Sequence, residues 1–248
     1  MATKLYVFPG SGASYTGRLM LERKGIKYKR VDLPAGLHRL LVRARGFKAQ
    51  TVPALKIDGR RIQGTRSISR ALDEIRPQPP LFPADPERRS AVEEAERWGD
   101  EVFQSVPRRL AWWALKRDRP AIKSFMQGAR LGMPVGLAAR TARPFVWMST
   151  RAYKASDEAV GEDLAALPGM LDKVDEWIAK DVLGGPNANA ADFQIATSVR
   201  VLMCFDDLRP AIQDRPAGAL AMRICPEYPG QIGPVFESAG LHTPAASS

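Results

Sequence analysis

The sequence predicts an α/β N-terminal half of βαβ-ββα order, built on a mixed four-stranded sheet, followed by an all-α C-terminal half. Three observations support this. Short β-branched and aromatic runs alternate with helical segments up to about residue 76. A proline-rich connector, residues 77–86 (PQPPLFPADP), then interrupts the chain. Beyond it, apolar residues recur at helical spacing almost throughout.

The βαβ unit comes first. Residues 4–8 (KLYVF) predict a strand that ends at a Pro-Gly turn. Residues 14–25 predict a short helix that stops at Gly25. Residues 27–33 (KYKRVDL) alternate as a second strand, and a helix-prone stretch follows at residues 37–45.

The ββα unit begins with two short runs, residues 51–57 and 60–63, on either side of an Asp-Gly pair, which is typical of a hairpin. Residues 67–75 then carry apolar side chains at helical spacing. We therefore expect a first domain over residues 1–78 and a helical domain over residues 87–248.

The second half contains three clear helical patterns. Residues 87–104 carry acidic side chains near their start, which is favourable at the N-terminus of a helix because of the helix dipole. Residues 157–180 and 190–202 repeat apolar residues at three- and four-residue steps. Asn189 and Asp192 precede the last pattern at the spacing of a capping box, for which we expect a structural role.

Composition excludes several classes of protein. No apolar run is long enough to span a membrane, and the N-terminus resembles a strand rather than a signal peptide, so we expect a cytoplasmic protein. The two cysteines, Cys204 and Cys225, form no CxxC pair or common zinc pattern and are interpreted as buried thiols. The two histidines are too few for a histidine-rich metal site.

The positive charge is concentrated in one place. The net charge is +10, and residues 107–154 hold eleven basic side chains against one acid, Asp118. The rest of the chain carries equal numbers of basic and acidic side chains. Prolines, glycines and aromatic residues interrupt this basic segment, which we expect to be an insertion into a helical half.

Three short motifs have the character of a ligand site. Ser11-Gly12-Ala13-Ser14 links the first strand to the first helix. Thr51-Val52-Pro53 precedes the hairpin, and Gly64-Thr65 precedes the last helix of the first half. A purely structural interpretation of these motifs, as turns and helix caps, stays open.

In the order of its strands and helices and in these motifs, the chain resembles the cytosolic glutathione S-transferases, in particular the serine-type theta, delta and zeta classes. This resemblance covers roughly residues 3–205. It implies a thioredoxin-like N-terminal domain, a homodimer, and glutathione or another low-molecular-weight thiol as co-substrate. The second substrate would be a small electrophile, and neither a metal nor a nucleotide would be needed.

The resemblance also implies roles for individual residues. The Val52–Pro53 bond would be cis, and Val52 would offer its main-chain groups to the cysteinyl part of glutathione. Thr65 and the helix amides behind it would hold the γ-glutamyl carboxylate. Gly64 stands where the family has an acidic or amide side chain.

Ser11 occupies the family's catalytic position when counted back from the helix stop, with Ser14 and Tyr15 as alternatives. A serine hydroxyl at a helix N-terminus favours thiolate over thiol. His38 and Gln50 lie where some classes contact the glycyl carboxylate, although His38 also fits a surface position on a basic helix.

Three interpretations of function remain. The first is an enzyme that activates a glutathione-type thiolate, with the basic segment as an acceptor-pocket wall favouring anionic substrates. The second is a non-catalytic binding protein with the same fold. The third is a peripheral protein whose basic segment contacts an anionic membrane surface. Nucleic acid fits the charge, but no nucleic-acid motif is present.

Overall fold

A computed structural model describes residues 3–244 of the chain. The first half has the predicted βαβ-ββα order. Its elements are β1 (Lys4–Val7), α1 (Gly12–Arg23), β2 (Lys29–Asp32), α2 (His38–Ala44), β3 (Ala54–Ile57), β4 (Arg60–Gln63) and α3 (Thr65–Ile75). Helix α1 begins two residues earlier than the sequence predicted, because the Ser11 side chain caps it by accepting a hydrogen bond from the Ser14 amide.

The four strands form one mixed sheet in the order β2-β1-β3-β4. Strand β1 is parallel to β2 and antiparallel to β3, and β3 is antiparallel to β4. The central strands are the most apolar, since both of their faces are covered. This arrangement confirms the predicted thioredoxin-like fold class of the N-terminal half.

Alternation along β1 sends side chains to two faces of the sheet. Leu5 and Val7 belong to the large core that includes α1 and α3. Tyr6 belongs to a smaller cluster with Val42 of α2 and Ala54 of β3. Helices α1 and α3 therefore cover one face, and α2 covers the other.

The second half is helical, as predicted. It contains α4 (Pro86–Trp98), α5 (Ser105–Arg117), α6 (Arg119–Phe125), α7 (Val135–Thr141), α8 (Arg143–Ala152), α9 (Asp157–Ala179), α10 (Ala190–Leu202) and α11 (Pro216–Ile224). The predicted division into residues 1–78 and 87–248 stays a prediction, and it falls between the end of α3 and the start of α4.

One predicted helix proved to be an α-helix followed by a π-helical turn. Residues 87–104 were predicted as one helix, but a π-helical turn, Gly99–Phe103, separates α4 from α5. The Gln104 amide donates to the Gly99 carbonyl at 2.9 Å, which is the wider spacing of a π-helix. A Cβ on Gly99 would lie 3.0 Å from the side chains of Gln194 and Ile195. The bare glycine thus lets the turn approach α10 closely.

Helix α10 is central to the structure, and all of its residues except Arg200 are buried. The Asn189 and Asp192 capping box is formed, with both reciprocal hydrogen bonds present. The helix packs against α1, α4, α5 and α11. The hydroxyls of Thr16 in α1 and Thr197 in α10 lie 2.7 Å apart, so a buried polar contact joins the two halves.

The basic segment is a series of short helices. It covers most of α5 and all of α6, α7 and α8, and prolines stand at the second position of α6 and α8. Within residues 3–244, no helix is both long and apolar enough to cross a membrane.

Candidate functional site

A cavity of about 440 Å³ lies where the two halves meet. Its walls come from the β1–α1 turn, the loop before β3, the start of α3, and helices α5, α6, α8 and α10. The structure brings seven of the nine predicted site residues to this cavity: Ser11, His38, Gln50, Val52, Pro53, Gly64 and Thr65. The two alternatives, Ser14 and Tyr15, do not line it.

Ser11 lies at the N-terminus of α1, on the cavity wall. Its oxygen accepts a hydrogen bond from the Ser14 amide at 3.3 Å, which leaves the hydroxyl proton for a ligand. The amides of Gly12 and Ala13 belong to the first turn of the helix, where they have no intrahelical acceptor. Hydroxyl and helix terminus together form a site that favours a negative charge.

The position of Ser11 is set from both halves. A Cβ on Gly12 would lie 3.2 Å from Val201 of α10, so the start of α1 rests directly on that helix. The Tyr228 hydroxyl donates a 2.7 Å hydrogen bond to the Gly10 carbonyl from the C-terminal segment. The turn that carries Ser11 is therefore held on two sides.

Ser14 and Tyr15 make contacts that stabilise the fold. The Ser14 hydroxyl is buried and accepts a 3.1 Å hydrogen bond from the Phe8 amide, which fastens β1 to α1. The Tyr15 ring packs on Tyr228, with ring centroids 4.5 Å apart, and the Arg18 guanidinium lies 4.6 Å from the centre of the Tyr15 ring. Burial raises the pKa of the Tyr15 phenol, which disfavours its anionic form.

The Val52–Pro53 peptide bond is cis in the structure. Pro53 packs against α1, where a Cβ on Gly17 would lie 3.2 Å from the Pro53 ring. The Pro53 carbonyl accepts from the Gly64 amide at 3.1 Å. Strand pairing begins only at Ala54, and within the described residues the Val52 N–H and C=O have no hydrogen-bond partner. They are main-chain groups at a cavity wall that a peptide ligand can pair with.

Thr65 opens α3 and is buried. Gly64 before it has φ +84°, a conformation that glycine adopts without strain. The Thr65 hydroxyl donates to the Asp100 carboxylate at 3.3 Å. Asp100 belongs to the π-helical turn and also lines the cavity. An acid from the helical half thus stands beside the helix start where the sequence has Gly64.

His38 is buried rather than on the surface, and its imidazole packs against two aromatic rings that also contact each other. The ring centroids of Phe8 and Phe145 are 5.4 and 5.2 Å away. Burial, with a smaller contribution from the Arg39 charge, lowers the pKa of His38 to about 4, so it is neutral near pH 7. Its Nδ1 atom is buried without a partner. Gln50 and Arg39 line the cavity nearby and are exposed.

The opposite wall of the cavity is aromatic and comes from the basic segment. Trp112 of α5 packs on Phe145 of α8 at 5.4 Å and stacks on Tyr153 at 6.4 Å. The Arg108 guanidinium lies 5.5 Å from the Tyr153 ring and is hydrogen-bonded to Gln104. This wall combines flat apolar surface with a cation, so it suits an aromatic ligand that carries a negative charge.

Several residues of the cavity wall were not predicted from the sequence. Asp100, Arg39 and Arg108 line the cavity, yet no local motif marks them. The signal that was available is weak: the π-helical turn has Gly99 before Asp100, and π-helical turns often occur at functional sites. The aromatic residues of the basic segment were noticed, and three of them, Trp112, Phe125 and Phe145, line the cavity.

The cysteines take no part in this site. Both are buried, and burial raises the pKa of Cys204 to about 12 and of Cys225 to about 11. Buried neutral thiols are poor nucleophiles. Among residues 3–244, no three His, Cys, Asp or Glu side chains are grouped so as to hold a metal ion.

Comparison with known proteins agrees with this geometry. Residues 5–80 match a family model described as the N-terminal domain of glutathione S-transferase. The maleylacetoacetate isomerase of Rattus norvegicus is 38% identical over 94 residues, which are 36% of this chain and 43% of that protein. The chain therefore matches less than half the length of this curated relative.

Solved structures resemble the chain over nearly its whole length. The beta-etherase LigF from Sphingobium sp. strain SYK-6 superposes with a TM-score of 0.61 at 20% identity, covering 90% of this chain and 99% of that one. A glutathione S-transferase from Rhodospirillum rubrum F11 superposes with a TM-score of 0.58 at 18% identity, covering 96% of this chain and 98% of that one. At these identities the likeness shows the fold, which includes both the α/β and the helical half.

Proposed function

We propose that this chain, a member of the cytosolic glutathione S-transferase superfamily, binds a glutathione-type thiol and activates its thiolate for attack on a small electrophile. One observation carries the proposal. Ser11, with an available hydroxyl at a helix N-terminus, and Val52, with unpaired main-chain groups, line the same cavity.

Val52 is the proposed anchor for the cysteinyl part of the thiol. Its N–H and C=O can form the pair of hydrogen bonds that an extended peptide makes with a strand edge. Because side-chain identity matters little for such contacts, this anchor would accept any γ-glutamyl-cysteinyl compound. Pro53 fixes the direction of these groups by packing on α1.

Ser11 is the proposed catalytic residue. Its hydroxyl would donate a hydrogen bond to the thiol sulfur, while the Gly12 and Ala13 amides add the positive end of the α1 dipole. Both effects stabilise the anion more than the neutral thiol, so the thiol pKa falls and its proton passes to solvent. The resulting thiolate is the nucleophile.

The γ-glutamyl end would be held at the start of α3. The Thr65 hydroxyl and the first amides of that helix offer donors for the carboxylate. Asp100, which lines the cavity beside Thr65, offers a negative charge for the α-ammonium group. This acid supplies from the helical half what Gly64 lacks. At the other end, Gln50 and Arg39, which line the cavity, would contact the glycyl carboxylate, with the neutral His38 beside them.

The acceptor would occupy the aromatic wall. Trp112, Phe145 and Tyr153 provide stacking surface, and Arg108 provides a cation. We therefore propose an aromatic electrophile bearing a carboxylate or a similar anion. Conjugation, ether cleavage, dehalogenation and isomerisation all begin with thiolate attack, and each remains within this proposal. We also propose a homodimer, which sedimentation analysis would reveal.

Calorimetric titration of the purified chain with glutathione tests the proposal. We expect saturable binding that is lost in Val52→Pro, which removes the main-chain donor, and weakened in Thr65→Ala. Binding that is identical in both variants and in the wild type would contradict the assigned site. Binding without turnover of any aromatic electrophile would favour the non-catalytic alternative, for which Gly64 is the supporting observation.

A further inference from the structure

Exposed apolar side chains are concentrated in two segments of the chain that also contribute to the cavity wall. Among the described residues, seven of the nine large exposed hydrophobic side chains lie at α2 or in residues 133–153. These seven are Leu37, Leu40, Met133, Leu137, Trp147, Met148 and Tyr153. The surface of a soluble monomeric protein seldom groups so many exposed apolar side chains unless they contact a partner. We call this surface the α2–α8 rim.

Positive charge is concentrated in the same part of the chain. No acid occurs between Arg119 and Ser156. The basic residues of this stretch are all exposed, and in the described part of the chain none of them forms an ion pair: Arg119, Lys123, Arg130, Arg140, Arg143, Arg151 and Lys154. Their charge is therefore available to an anionic surface.

Helix α8 joins the two features. Its inner side chains, Phe145 and Val146, line the cavity. Trp147 and Met148 on the outer face are each 53% exposed. Arg151, one helical turn further, lies on the same face, with its guanidinium 5.1 Å from the Trp147 ring. The outer face of α8 thus presents a cation directly beside exposed apolar side chains.

Helix α2 continues the rim on the other side of the cavity. His38 and Arg39 line the cavity, whereas Leu37 and Leu40 are exposed. Because the His38 and Phe145 rings lie 5.2 Å apart, α2 and α8 meet beside the cavity. The exposed side chains of both helices therefore flank the same region.

We propose that the α2–α8 rim binds the surface of an anionic lipid bilayer. Tryptophan, methionine and leucine side chains bury apolar surface when they enter the boundary between lipid headgroups and acyl chains. Arginines beside them pair with lipid phosphates. A nucleic-acid duplex would pair its phosphates with the arginines but would leave the exposed aliphatic side chains of Leu137 and Met148 without an apolar partner. Such docking would turn the cavity toward the lipid and would favour acceptors dissolved in the bilayer.

Sedimentation with vesicles tests the proposal. We expect the purified chain to sediment with vesicles of phosphatidylglycerol and phosphatidylcholine at low salt, and to remain in solution with phosphatidylcholine alone. The triple variant Arg140→Gln, Arg143→Gln, Arg151→Gln should bind about a hundredfold more weakly. Trp147→Ser should weaken binding about tenfold, since it removes apolar surface from the interface.

A matched control carries the same loss of charge elsewhere. Arg88→Gln, Arg89→Gln, Arg97→Gln changes three exposed arginines of α4 and should bind vesicles as the wild type does. Three outcomes would overturn the proposal: no sedimentation with anionic vesicles, equal losses in both triple variants, or binding to a DNA oligonucleotide that matches vesicle binding and is insensitive to Trp147→Ser. None of them affects glutathione binding, which is measured separately.

Discussion

The hydroxyl of Thr65 at the start of α3 donates a hydrogen bond to the carboxylate of Asp100, which belongs to the π-helical turn of the other half. The two residues are 35 positions apart in sequence and face the same cavity. This contact brings an acid to the end of the cavity where the first half has only Gly64. It is the structural basis for proposing that a γ-glutamyl group binds there.

Asp100→Asn is predicted to weaken glutathione binding about ten- to a hundredfold, because the variant loses the charge that would face the α-ammonium group. An analogue of glutathione without the α-amino group should bind wild type and variant equally. The control is Glu101→Gln, the exposed neighbour, which pairs with Arg66 and does not line the cavity. Equal loss of affinity for glutathione and for the analogue would contradict this role.

Lys24 is predicted to be essential for stability. Its side chain is 0% exposed, and its Nζ donates to the Asp73 carboxylate at 2.6 Å. It also donates to the carbonyls of Arg76 and Pro79, at 2.6 and 2.7 Å, so it ties α1 to the connector. Lys24→Met keeps the length but takes the cation away from the partly buried Asp73 carboxylate and removes the donor from both carbonyls, which should cost about 2–3 kcal/mol.

Urea unfolding measures this cost. The control Lys27→Met changes an exposed lysine three residues later and should leave the free energy of unfolding nearly unchanged. Equal unfolding midpoints for the two variants would show that the buried hydrogen bonds of Lys24 contribute nothing net.

His38 predicts a pH dependence of stability. Its pKa is about 4 in the folded chain against an ordinary value of 6.5, so between these values the unfolded chain binds the proton and the folded chain does not. Stability is therefore lost as the pH falls from about 6.5 toward about 4. His38→Phe keeps an aromatic ring beside Phe8 and Phe145, and it should flatten this part of the profile.

Unfolding midpoints measured across this pH range check the prediction. His242→Gln, which alters the other histidine at an exposed position, should retain the profile of the wild type. A profile in His38→Phe as steep as that of the wild type would assign the pH dependence to other groups.

Local patterns were enough to predict the element order of the first half and most of the cavity-facing loops. Strand β4 and helix α10 match their predicted bounds, because a turn and a capping residue mark their ends. The start of α1 was misplaced because Ser11 was treated as part of a turn, although its side chain caps the helix. The serine, proline and threonine motifs reached one cavity because the sheet topology brings their loops to the same edge.

Other features depend on contacts between distant parts of the chain. The burial of His38 comes from Phe145, which is more than a hundred residues away, and no pattern around His38 indicates it. Asp100 reaches the cavity through a π-helical turn, and the acidic pattern of residues 87–104 fits an uninterrupted helix equally well. The π-helical turn packs against α10, and His38 packs against Phe8 and Phe145; local spacing encodes neither placement.

The thiol pKa of bound glutathione tests the central claim most directly, and the ultraviolet absorbance of the thiolate reports it during a pH titration. We predict that the wild type lowers this pKa and that Ser11→Ala raises it again by about one to two pH units. The control Ser67→Ala, an exposed serine of α3, should behave as the wild type does. If bound glutathione titrates identically in the wild type and in Ser11→Ala, Ser11 does not stabilise the thiolate.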